Sequence, residues 1–319
     1  MDRKSLKNLT HNAKDFLSVS KNDYKQWVFR YTFLELEKDL GVLGDITTAS
    51  VIKNDEVKTA HVVSGSNGVL AGLEEIMYFL VDSDPRFRPR LGKLKVEMLV
   101  EDGARVKTGD RVMRLSGSVR DILAVERVAL NLIMRMSGVA TKTSEMVSII
   151  TDAGSDALVV PTRKTLWGLL DKKGCVLGGG GTHRLNLADA ILIKDNHLKI
   201  LGDSQATALK NLSDSGVDAR FVEIEVEDKE SAIKAAENLS SMKFGSPTCV
   251  LFDNMSATEV GETLDALKSK DVYDSILFEA SGGISADNLV EYAKTGVDII
   301  SMGCLTMDAS GMDFSLDID

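Results

Sequence analysis

The C-terminal two thirds of the chain show short apolar runs that alternate with longer amphipathic segments. The amphipathic segments include residues 229–240 and 257–268, whose apolar positions repeat at the spacing of a helix face. Buried strands that alternate with helices indicate parallel βα units. Seven such runs therefore predict a closed or nearly closed α/β barrel of about seven strands. The runs lie at residues 157–160, 175–177, 190–193, 221–226, 248–252, 276–278 and 297–300.

The N-terminal third has a different pattern. Residues 1–30 are polar and of mixed charge, which predicts a helical extension. Residues 57–63 and 93–100 alternate between apolar and polar positions, as half-buried strands do. These strands predict a separate α/β sandwich domain over residues 31–125.

A long amphipathic segment leads from this domain into the barrel. Helical spacing over residues 123–150 predicts one long helix or two, and the barrel domain is placed at residues 126–311. At the C-terminus, apolar and polar residues alternate again over residues 312–319. This last segment is predicted to be a strand that joins the N-terminal sheet.

Composition narrows the functional class. The 319 residues carry a net charge of -10, which argues against nucleic acid as the main partner because phosphate backbones require a basic face. The three cysteines are widely spaced and lie in apolar runs, at Cys175, Cys249 and Cys304. This pattern is typical of buried thiols in a reducing compartment. The N-terminus lacks the apolar core of a secretory signal, and no apolar stretch is long enough to span a bilayer. We expect a cytoplasmic protein.

Polar or glycine residues stand at the end of each apolar run. In chain order they are Arg163 and Lys164, Gly178-Gly179-Gly180-Gly181, Lys194, Glu225, Asp253, Ser281-Gly282-Gly283 and Ser301-Met302-Gly303. Barrel enzymes place their chemistry at the carboxyl ends of the strands. His183 and Arg184, directly after the glycine run, bring more basic side chains to the same rim. Cations gathered beside glycines in an acidic chain predict a pocket for a polyanionic small molecule.

An ordered series of motifs runs from Gly41 to the C-terminus. They are Gly68-Val69-Leu70-Ala71-Gly72, Glu126-Arg127 with Leu130-Asn131, Ser137-Gly138-Val139-Ala140-Thr141, Thr162-Arg163-Lys164-Thr165, the glycine-rich His183-Arg184 run, Leu192-Ile193-Lys194-Asp195-Asn196-His197, Glu223-Ile224-Glu225-Val226, Asp253-Asn254-Met255, Glu279-Ala280-Ser281-Gly282-Gly283-Ile284 and Thr295-Gly296-Val297-Asp298. In this combination the chain resembles the quinolinate phosphoribosyltransferase family.

The resemblance implies a fold, a reaction and partners. The fold is an N-terminal α/β sandwich domain followed by an incomplete α/β barrel. The reaction joins quinolinate to phosphoribosyl pyrophosphate and releases pyrophosphate and CO₂, giving nicotinate mononucleotide for NAD biosynthesis. Mg²⁺ is the implied metal. The implied assembly is a homodimer in which Arg127 reaches the neighbouring subunit's site, whereas the sequence alone equally allows a surface arginine paired with Glu126.

Roles for the predicted site residues follow from this chemistry. Arg163, Arg184 and Lys194, with His183 and Lys164 nearby, suit the two carboxylates of quinolinate. The phosphate-binding loops are expected at Ser281, Gly282 and Gly283 and at Ser301 and Gly303. Lys164 or Lys194 would support decarboxylation.

The metal ligands are expected among the acidic residues at the strand ends. Glu225 and Asp253 are oxygen donors of the kind that Mg²⁺ prefers. Glu223 lies on the same strand face as Glu225 and remains an alternative ligand, although alignment to the family favours Glu225. His197 is expected to cap a turn, and His11 lacks any supporting motif.

Several positions depart from the family pattern. Thr182 replaces an asparagine, and Trp167 with Leu169-Leu170 replaces a proline and an arginine in a shortened segment. These changes leave three alternatives open. They are a sister pyrophosphorylase of the molybdenum-transport type, a phosphoribosyltransferase for another aromatic acid, and a non-enzymatic phosphate-binding barrel. The last would have lost cations or carboxylates that this sequence retains.

Overall fold

The computed structural model describes residues 2–82, 94–242, 244–270 and 272–319, and the chain divides into two compact units. The barrel unit comprises the chain up to Ala13, Thr143–Leu166 and Gly179–Asp308. The antiparallel unit comprises Lys14–Lys142, Trp167–Gly178 and Ala309–Asp319. Within the described ranges, no helix is both long and apolar enough to cross a membrane.

The secondary structure is numbered in chain order over the described residues. The helices are α1 (Arg3–His11), α2 (Asn22–Leu40), α3 (Ile46–Val51), α4 (Leu73–Met77), α5 (Val119–Asp152), α6 (Leu169–Leu177), α7 (Asp195–Ile200), α8 (Gln205–Ser215), α9 (Lys229–Ser241), α10 (Ala257–Lys268), α11 (Leu289–Lys294) and α12 (Cys304–Met307). The strands are β1 (Val57–Ser64), β2 (Gly68–Val69), β3 (Lys95–Met98), β4 (Arg105–Val106), β5 (Arg111–Ser118), β6 (Leu158–Val160), β7 (Ile191–Ile193), β8 (Val222–Val226), β9 (Thr248–Asp253), β10 (Ile276–Ser281), β11 (Ile299–Ser301) and β12 (Phe314–Ile318).

The antiparallel unit contains a four-stranded sheet in the order β12-β1-β5-β3. The strand predicted at residues 57–63 is β1, and the strand predicted at 93–100 is the shorter β3, with Lys93 outside the described residues. The C-terminal strand β12 pairs antiparallel with β1, with Ala60 opposite Ile318. The last residues of the chain therefore complete the sheet that begins near residue 57.

The barrel unit contains a six-stranded parallel sheet in the order β6-β11-β10-β9-β8-β7. The strands β6 and β7 are consecutive along the chain but lie at opposite edges of the sheet. A closed barrel would pair these two strands, so the barrel is open between them. The predicted α/β fold with an incomplete barrel is confirmed.

One predicted strand is wrong. Residues 175–177 belong to α6, so the sheet has six strands in the described part of the chain rather than about seven. A three-residue apolar run fits either a strand or one turn of a helix, and periodicity cannot separate them at that length. Here Leu170 and Cys175 are both buried on a helix that lies between Gly168 and Gly178.

The strand β8 shows how the barrel turns polar residues inward. Val222, Ile224 and Val226 are almost fully buried, and each contributes about 1.5–3 kcal/mol through burial. Side chains alternate between the two faces of a strand. Glu223 and Glu225 therefore share the opposite face, where Glu223 meets other polar side chains of the barrel interior.

The two predicted amphipathic segments of the barrel are helices with clear start signals. At α10, the Ser256 hydroxyl accepts the Glu259 N–H, and the Glu259 carboxylate accepts the Ser256 N–H at 2.8 Å, which forms a capping box. At α9, the Asp228 carboxylate accepts the Ser231 N–H at 2.8 Å. Each cap satisfies donors that the first helical turn leaves free.

The predicted domain boundaries differ from those in the structure. Helix α1 belongs to the barrel unit, whereas α2 lies in the antiparallel unit, so residues 1–30 are not one extension. The boundary predicted at residues 125/126 falls inside α5, which is one continuous helix of 34 residues. The predicted helical extension did not show that α1 docks on the barrel, where Leu6 packs against the core and further contacts are made by basic side chains.

Three basic residues of α1 carry this attachment. Arg3 donates from Nε to Asp298 at 2.9 Å, and Lys7 lies 3.1 Å from an Asp156 carboxylate oxygen. His11 reaches the buried Glu279, with 3.2 Å between Nε2 and Oε2. Positions i, i+4 and i+8 share one helix face, so a single basic stripe fixes the helix to acidic residues of the barrel.

Candidate functional site

A cavity of about 750 Å³ lies at the carboxyl ends of the barrel strands. Most of the predicted site residues line it. They are Arg163, Lys164, His183, Arg184, Lys194, Glu225, Asp253, Ser281, Gly282, Gly283, Ser301 and Gly303. The strand ends of a parallel barrel meet at one rim, which is why residues far apart in sequence converge here.

Arg184 is a buried cation of the cavity, with only 6% of its surface exposed. Its Nη1 donates to the Ala190 carbonyl at 3.4 Å, and among the described residues no carboxylate lies within ion-pair distance of its guanidinium. Burial, and then the charge of Arg163, lower the pKa of Arg184 below its usual value. A desolvated guanidinium without an anionic partner favours binding of a carboxylate or phosphate.

Arg163 and Lys164 follow β6 and are exposed at the cavity mouth. The Lys164 N–H donates to the Thr162 hydroxyl at 3.0 Å, and its carbonyl accepts the Thr306 hydroxyl at 2.5 Å. These bonds hold the loop backbone while the side chains stay free to meet a ligand. The positive charge at this mouth can attract an anion and need not be desolvated until the anion arrives.

Glu225 and Asp253 bring negative charge to the same cavity. Glu225 lies on β8, and Asp253 ends the neighbouring strand β9. Lys194 Nζ lies 2.5 Å from Glu225 Oε2, and burial raises the pKa of Glu225 despite this contact. Burial likewise raises the pKa of Asp253. Two carboxylates whose charged forms are both disfavoured would be stabilised by a cation between them.

The loop after β10 requires its glycines. Gly282 has φ +91° and Gly283 φ +62°, both in the region that side chains disfavour. A Cβ on Gly282 would lie 2.3 Å from the Asn254 amide oxygen and 2.7 Å from its backbone nitrogen. Glycine at 282 therefore permits a close approach to Asn254, in a loop whose residues Ser281, Gly282 and Gly283 line the cavity. The hydroxyl oxygen of Ser301, after β11, has no hydrogen-bond partner within the described part of the chain.

Beneath the cavity lies a buried polar cluster of four side chains: His11, His183, Glu223 and Glu279. His183 Nε2 lies 3.3 Å from an oxygen of each glutamate, and His11 Nε2 lies 3.2 Å from Glu279 and 3.8 Å from Glu223. Burial by itself lowers the pKa of His183, but the charges of Glu279 and Glu223 raise it to about 9. Burial acts to raise the pKa of Glu223, but the charge of His183 and a contact with His11 hold it far below its usual range.

This cluster separates the two candidate metal ligands on β8. Glu223 is fully buried between the histidines, whereas Glu225 lines the cavity beside Lys194. Of these two glutamates, only Glu225 lines the cavity together with Asp253.

The sequence interpretation missed His11 and the role of Glu279. Glu279 stands two residues before Ser281 on the same strand face, so strand periodicity could have placed it in the barrel interior. Nothing local marks His11, because its contacts depend on where α1 docks. His197 behaves as expected, since its Nδ1 accepts the Lys194 N–H at 2.9 Å at the start of α7.

Arg127 is not among the residues that line the cavity. It lies on α5 with 55% of its side chain exposed, 3.8 Å from Glu126. The helix-surface pairing that the sequence allowed is therefore present in the single chain. At that distance and exposure the pair contributes little to stability.

Comparison with known proteins adds a second line of argument. The family profile described as quinolinate phosphoribosyl transferase, N-terminal domain, matches residues 45–137, and the corresponding C-terminal domain profile matches residues 139–317. A probable nicotinate-nucleotide pyrophosphorylase [carboxylating] of Methanothermobacter thermautotrophicus is 38% identical, over 86% of this chain and 93% of that protein. The nicotinate-nucleotide pyrophosphorylase [carboxylating] of Mycobacterium leprae is 36% identical, over 89% of this chain and 94% of that protein.

Solved structures agree with the sequence relatives. The structure of the nicotinate-nucleotide pyrophosphorylase from Francisella tularensis superimposes with a TM-score of 0.77 at 29% identity, covering 92% of this chain and 96% of that chain. The same family is indicated by both domain profiles, by relatives that match over nearly their full length and by the shared architecture. The chain belongs to the quinolinate phosphoribosyltransferase family.

Proposed function

We propose that the protein transfers the phosphoribosyl group of phosphoribosyl pyrophosphate to quinolinate and releases pyrophosphate and CO₂, giving nicotinate mononucleotide. The observation that carries this proposal is one cavity lined by four basic side chains, Arg163, Lys164, Arg184 and Lys194, and by the strand-end carboxylates of Glu225 and Asp253. Relatives named nicotinate-nucleotide pyrophosphorylase [carboxylating] support the same reaction.

Quinolinate presents two adjacent carboxylates, and the buried end of the cavity suits them. Arg184 offers a guanidinium without a carboxylate partner among the described residues, and its planar fork matches a carboxylate at two points. Arg163 and Lys194 supply further positive charge around it. His183 also lines the cavity and is largely buried.

Phosphoribosyl pyrophosphate suits the opposite side of the cavity. The loops Ser281-Gly282-Gly283 and Ser301-Met302-Gly303 offer backbone N–H groups and a free hydroxyl for the 5′-phosphate. The pyrophosphate of the same substrate would then lie near Lys164, which lines the cavity mouth.

Glu225 and Asp253 fit a magnesium ion as oxygen donors. Burial raises the pKa of each, even with Lys194 beside Glu225, so a cation bound at this point would stabilise both charged forms. When bound there, Mg²⁺ would neutralise the charge that develops on the leaving pyrophosphate.

The chain's own residues then support two bond changes. The quinolinate ring nitrogen attacks C1 of the ribose as the bond from C1 to the pyrophosphate oxygen breaks, and Glu225 and Asp253 stabilise the positive charge at C1. The alkylated ring nitrogen is cationic, so it can accept the electron pair left when the neighbouring carboxylate departs as CO₂. Lys194 or Lys164 stabilises the charge at that carbon until a proton replaces the carboxylate.

The test is an assay of the purified protein with quinolinate, phosphoribosyl pyrophosphate and MgCl₂. We expect release of CO₂ from the 2-carboxylate together with nicotinate mononucleotide, and loss of both products when the metal is chelated. Nicotinate serves as the matched control, since it lacks the second carboxylate. Turnover of nicotinate without turnover of quinolinate would contradict the proposal.

We also infer that the protein acts as a homodimer in which the partner supplies Arg127. Supporting this, Arg127 is exposed on the single chain and does not line the cavity that its own barrel forms. Size-exclusion chromatography with light scattering tests the assembly, and a monomer at working concentration would contradict it.

A further inference from the structure

We propose that His11 is a positioning residue: through α1, the N-terminal segment orders the loop that carries His183 and Arg184. This inference rests on the proposed function only where it names quinolinate as the ligand of that loop. The contacts that support it all lie within the barrel unit.

The backbone of the N-terminal segment is hydrogen-bonded directly to the loop that carries His183 and Arg184. The His11 carbonyl accepts the N–H groups of Thr182 at 2.7 Å and of His183 at 3.1 Å, and the Ala13 N–H donates to the Thr182 hydroxyl at 2.9 Å. A Cβ on Gly181 would lie 2.5 Å from the same His11 carbonyl, so glycine permits this close approach.

The loop needs such support because its conformation is strained. His183 has φ +50°, which is uncommon for a residue with a side chain and costs about 1–3 kcal/mol. The barrel is open between β6 and β7, so no neighbouring strand fixes the loop on both sides. The Gly181 N–H donates to the Val159 carbonyl on β6 at 2.8 Å, and the N-terminal segment supplies further hydrogen bonds to the loop.

The His11 side chain also fixes the His183 ring. The His11 ring is fully buried, stacks on Phe221 with 4.3 Å between centroids, and meets the edge of the His183 ring at 5.1 Å. Glu279 links the two rings, since one of its oxygens lies 3.2 Å from His11 and the other 3.3 Å from His183. Removing the His11 ring would leave a void beside His183 and take one partner away from Glu279.

A metal ion held by the same four side chains is a poorer explanation. His183 Nδ1 accepts the Arg184 N–H at 2.6 Å, so a neutral His183 carries its proton on Nε2. A protonated ring carries one there as well. In both states Nε2, the atom that faces Glu223 and Glu279, has no lone pair to give to a metal.

The test compares His11→Ala, His11→Gln and a matched control, Lys7→Met, in the full-length protein. Lys7 lies on the same face of α1 but bonds to Asp156, away from the loop. We expect His11→Ala to raise the KM for quinolinate about tenfold or more, since small misplacements of binding groups are costly. The KM for phosphoribosyl pyrophosphate should stay nearly unchanged. His11→Gln, which keeps an N–H donor near the position of Nε2, should recover much of the loss.

A second measurement separates this proposal from the proposed function. Hydrogen exchange of the segment at residues 181–184 should become about tenfold faster in His11→Ala and stay at the wild-type rate in Lys7→Met. Failure of the wild type to convert quinolinate overturns the reaction but leaves this readout intact. Equal exchange in all variants, an equal rise of KM in His11→Ala and Lys7→Met, or a stoichiometric metal lost with His11 would each overturn the positioning role.

Discussion

Glu223 and Glu225 lie two residues apart on one face of β8, and the protein surrounds their carboxylates in opposite ways. Glu223 is fully buried between two histidines, which hold its pKa far below the usual range despite burial. Glu225 lines the cavity, and burial raises its pKa even though Lys194 lies 2.5 Å away. The first carboxylate has its partners built into the fold. The second has a cationic partner, and burial still disfavours its charged form.

A third glutamate shows that burial alone does not decide this. Glu75, in the antiparallel unit, is as buried as Glu223, but its partner is the Tyr24 hydroxyl, which donates to it at 2.6 Å. Burial, and then the charge of Asp102, raise the pKa of Glu75 to about 8. The presence of histidines beside Glu223 is what reverses the direction. Between these two equally buried glutamates, the direction of the pKa shift is therefore set by the partners of the carboxyl group rather than by its depth.

The strongest test of the comparison replaces each β8 glutamate in turn. Glu223→Ala should lower the free energy of unfolding by about 3–5 kcal/mol, because it removes one partner from a buried charged cluster. Glu225→Ala should leave thermal stability close to that of the wild type and abolish most turnover. Thermal denaturation and kcat measured on both variants check this. Equal losses of stability in Glu223→Ala and Glu225→Ala would contradict the proposed difference between the two glutamates.

Arg184→Ala tests the ligand side of the cavity. Loss of the buried guanidinium should weaken quinolinate by about 2–4 kcal/mol, roughly 30- to 1,000-fold in KM. Phosphoribosyl pyrophosphate should be weakened far less. Arg184→Lys is the matched control, since it keeps the charge but loses the two-point fork. Its KM for quinolinate should lie between those of the wild type and Arg184→Ala. Equal weakening of both substrates would argue against the assignment.

Glu75→Gln tests the buried acid that has no histidine. Its raised pKa means that the folded protein holds a proton that the unfolded chain releases, so wild-type stability should fall as pH rises from about 5 to about 8. The slope is about 1.4 kcal/mol per pH unit for one group. Glutamine still accepts the Tyr24 hydrogen bond and has no proton to lose, so the variant should show a flatter profile. Denaturant unfolding at several pH values measures it, and parallel profiles would contradict the assignment.

The smallest expected signal concerns the shared site. Arg127→Ala and Lys194→Ala proteins should each be inactive, and mixing them should restore about a quarter of wild-type turnover through hybrid dimers with one intact site. Subunit exchange is verified with a tagged chain. Exchange without recovery would place Arg127 outside the partner's site.

Much of the barrel could be predicted from the sequence because its signals are local. Apolar runs at residues 221–226 and 248–252 mark buried strands, and the polar residue at each strand end then meets its neighbours because all parallel strands end at one rim. Glycines at 282 and 283 mark a loop whose positive φ values are disfavoured for residues with side chains. The family resemblance was carried by these same local motifs.

Other features were decided only by the tertiary structure. Residues 175–177 form the end of a helix, since three apolar residues carry no usable period. Glu223 and Glu225 have the same face and the same side chain, and only the histidines around one of them separate their roles. His11 reaches those glutamates because α1 docks through charged contacts with Asp298 and Asp156. Periodicity records which residues avoid water, but it carries no information about which buried charges will meet, because that depends on contacts between distant parts of the chain.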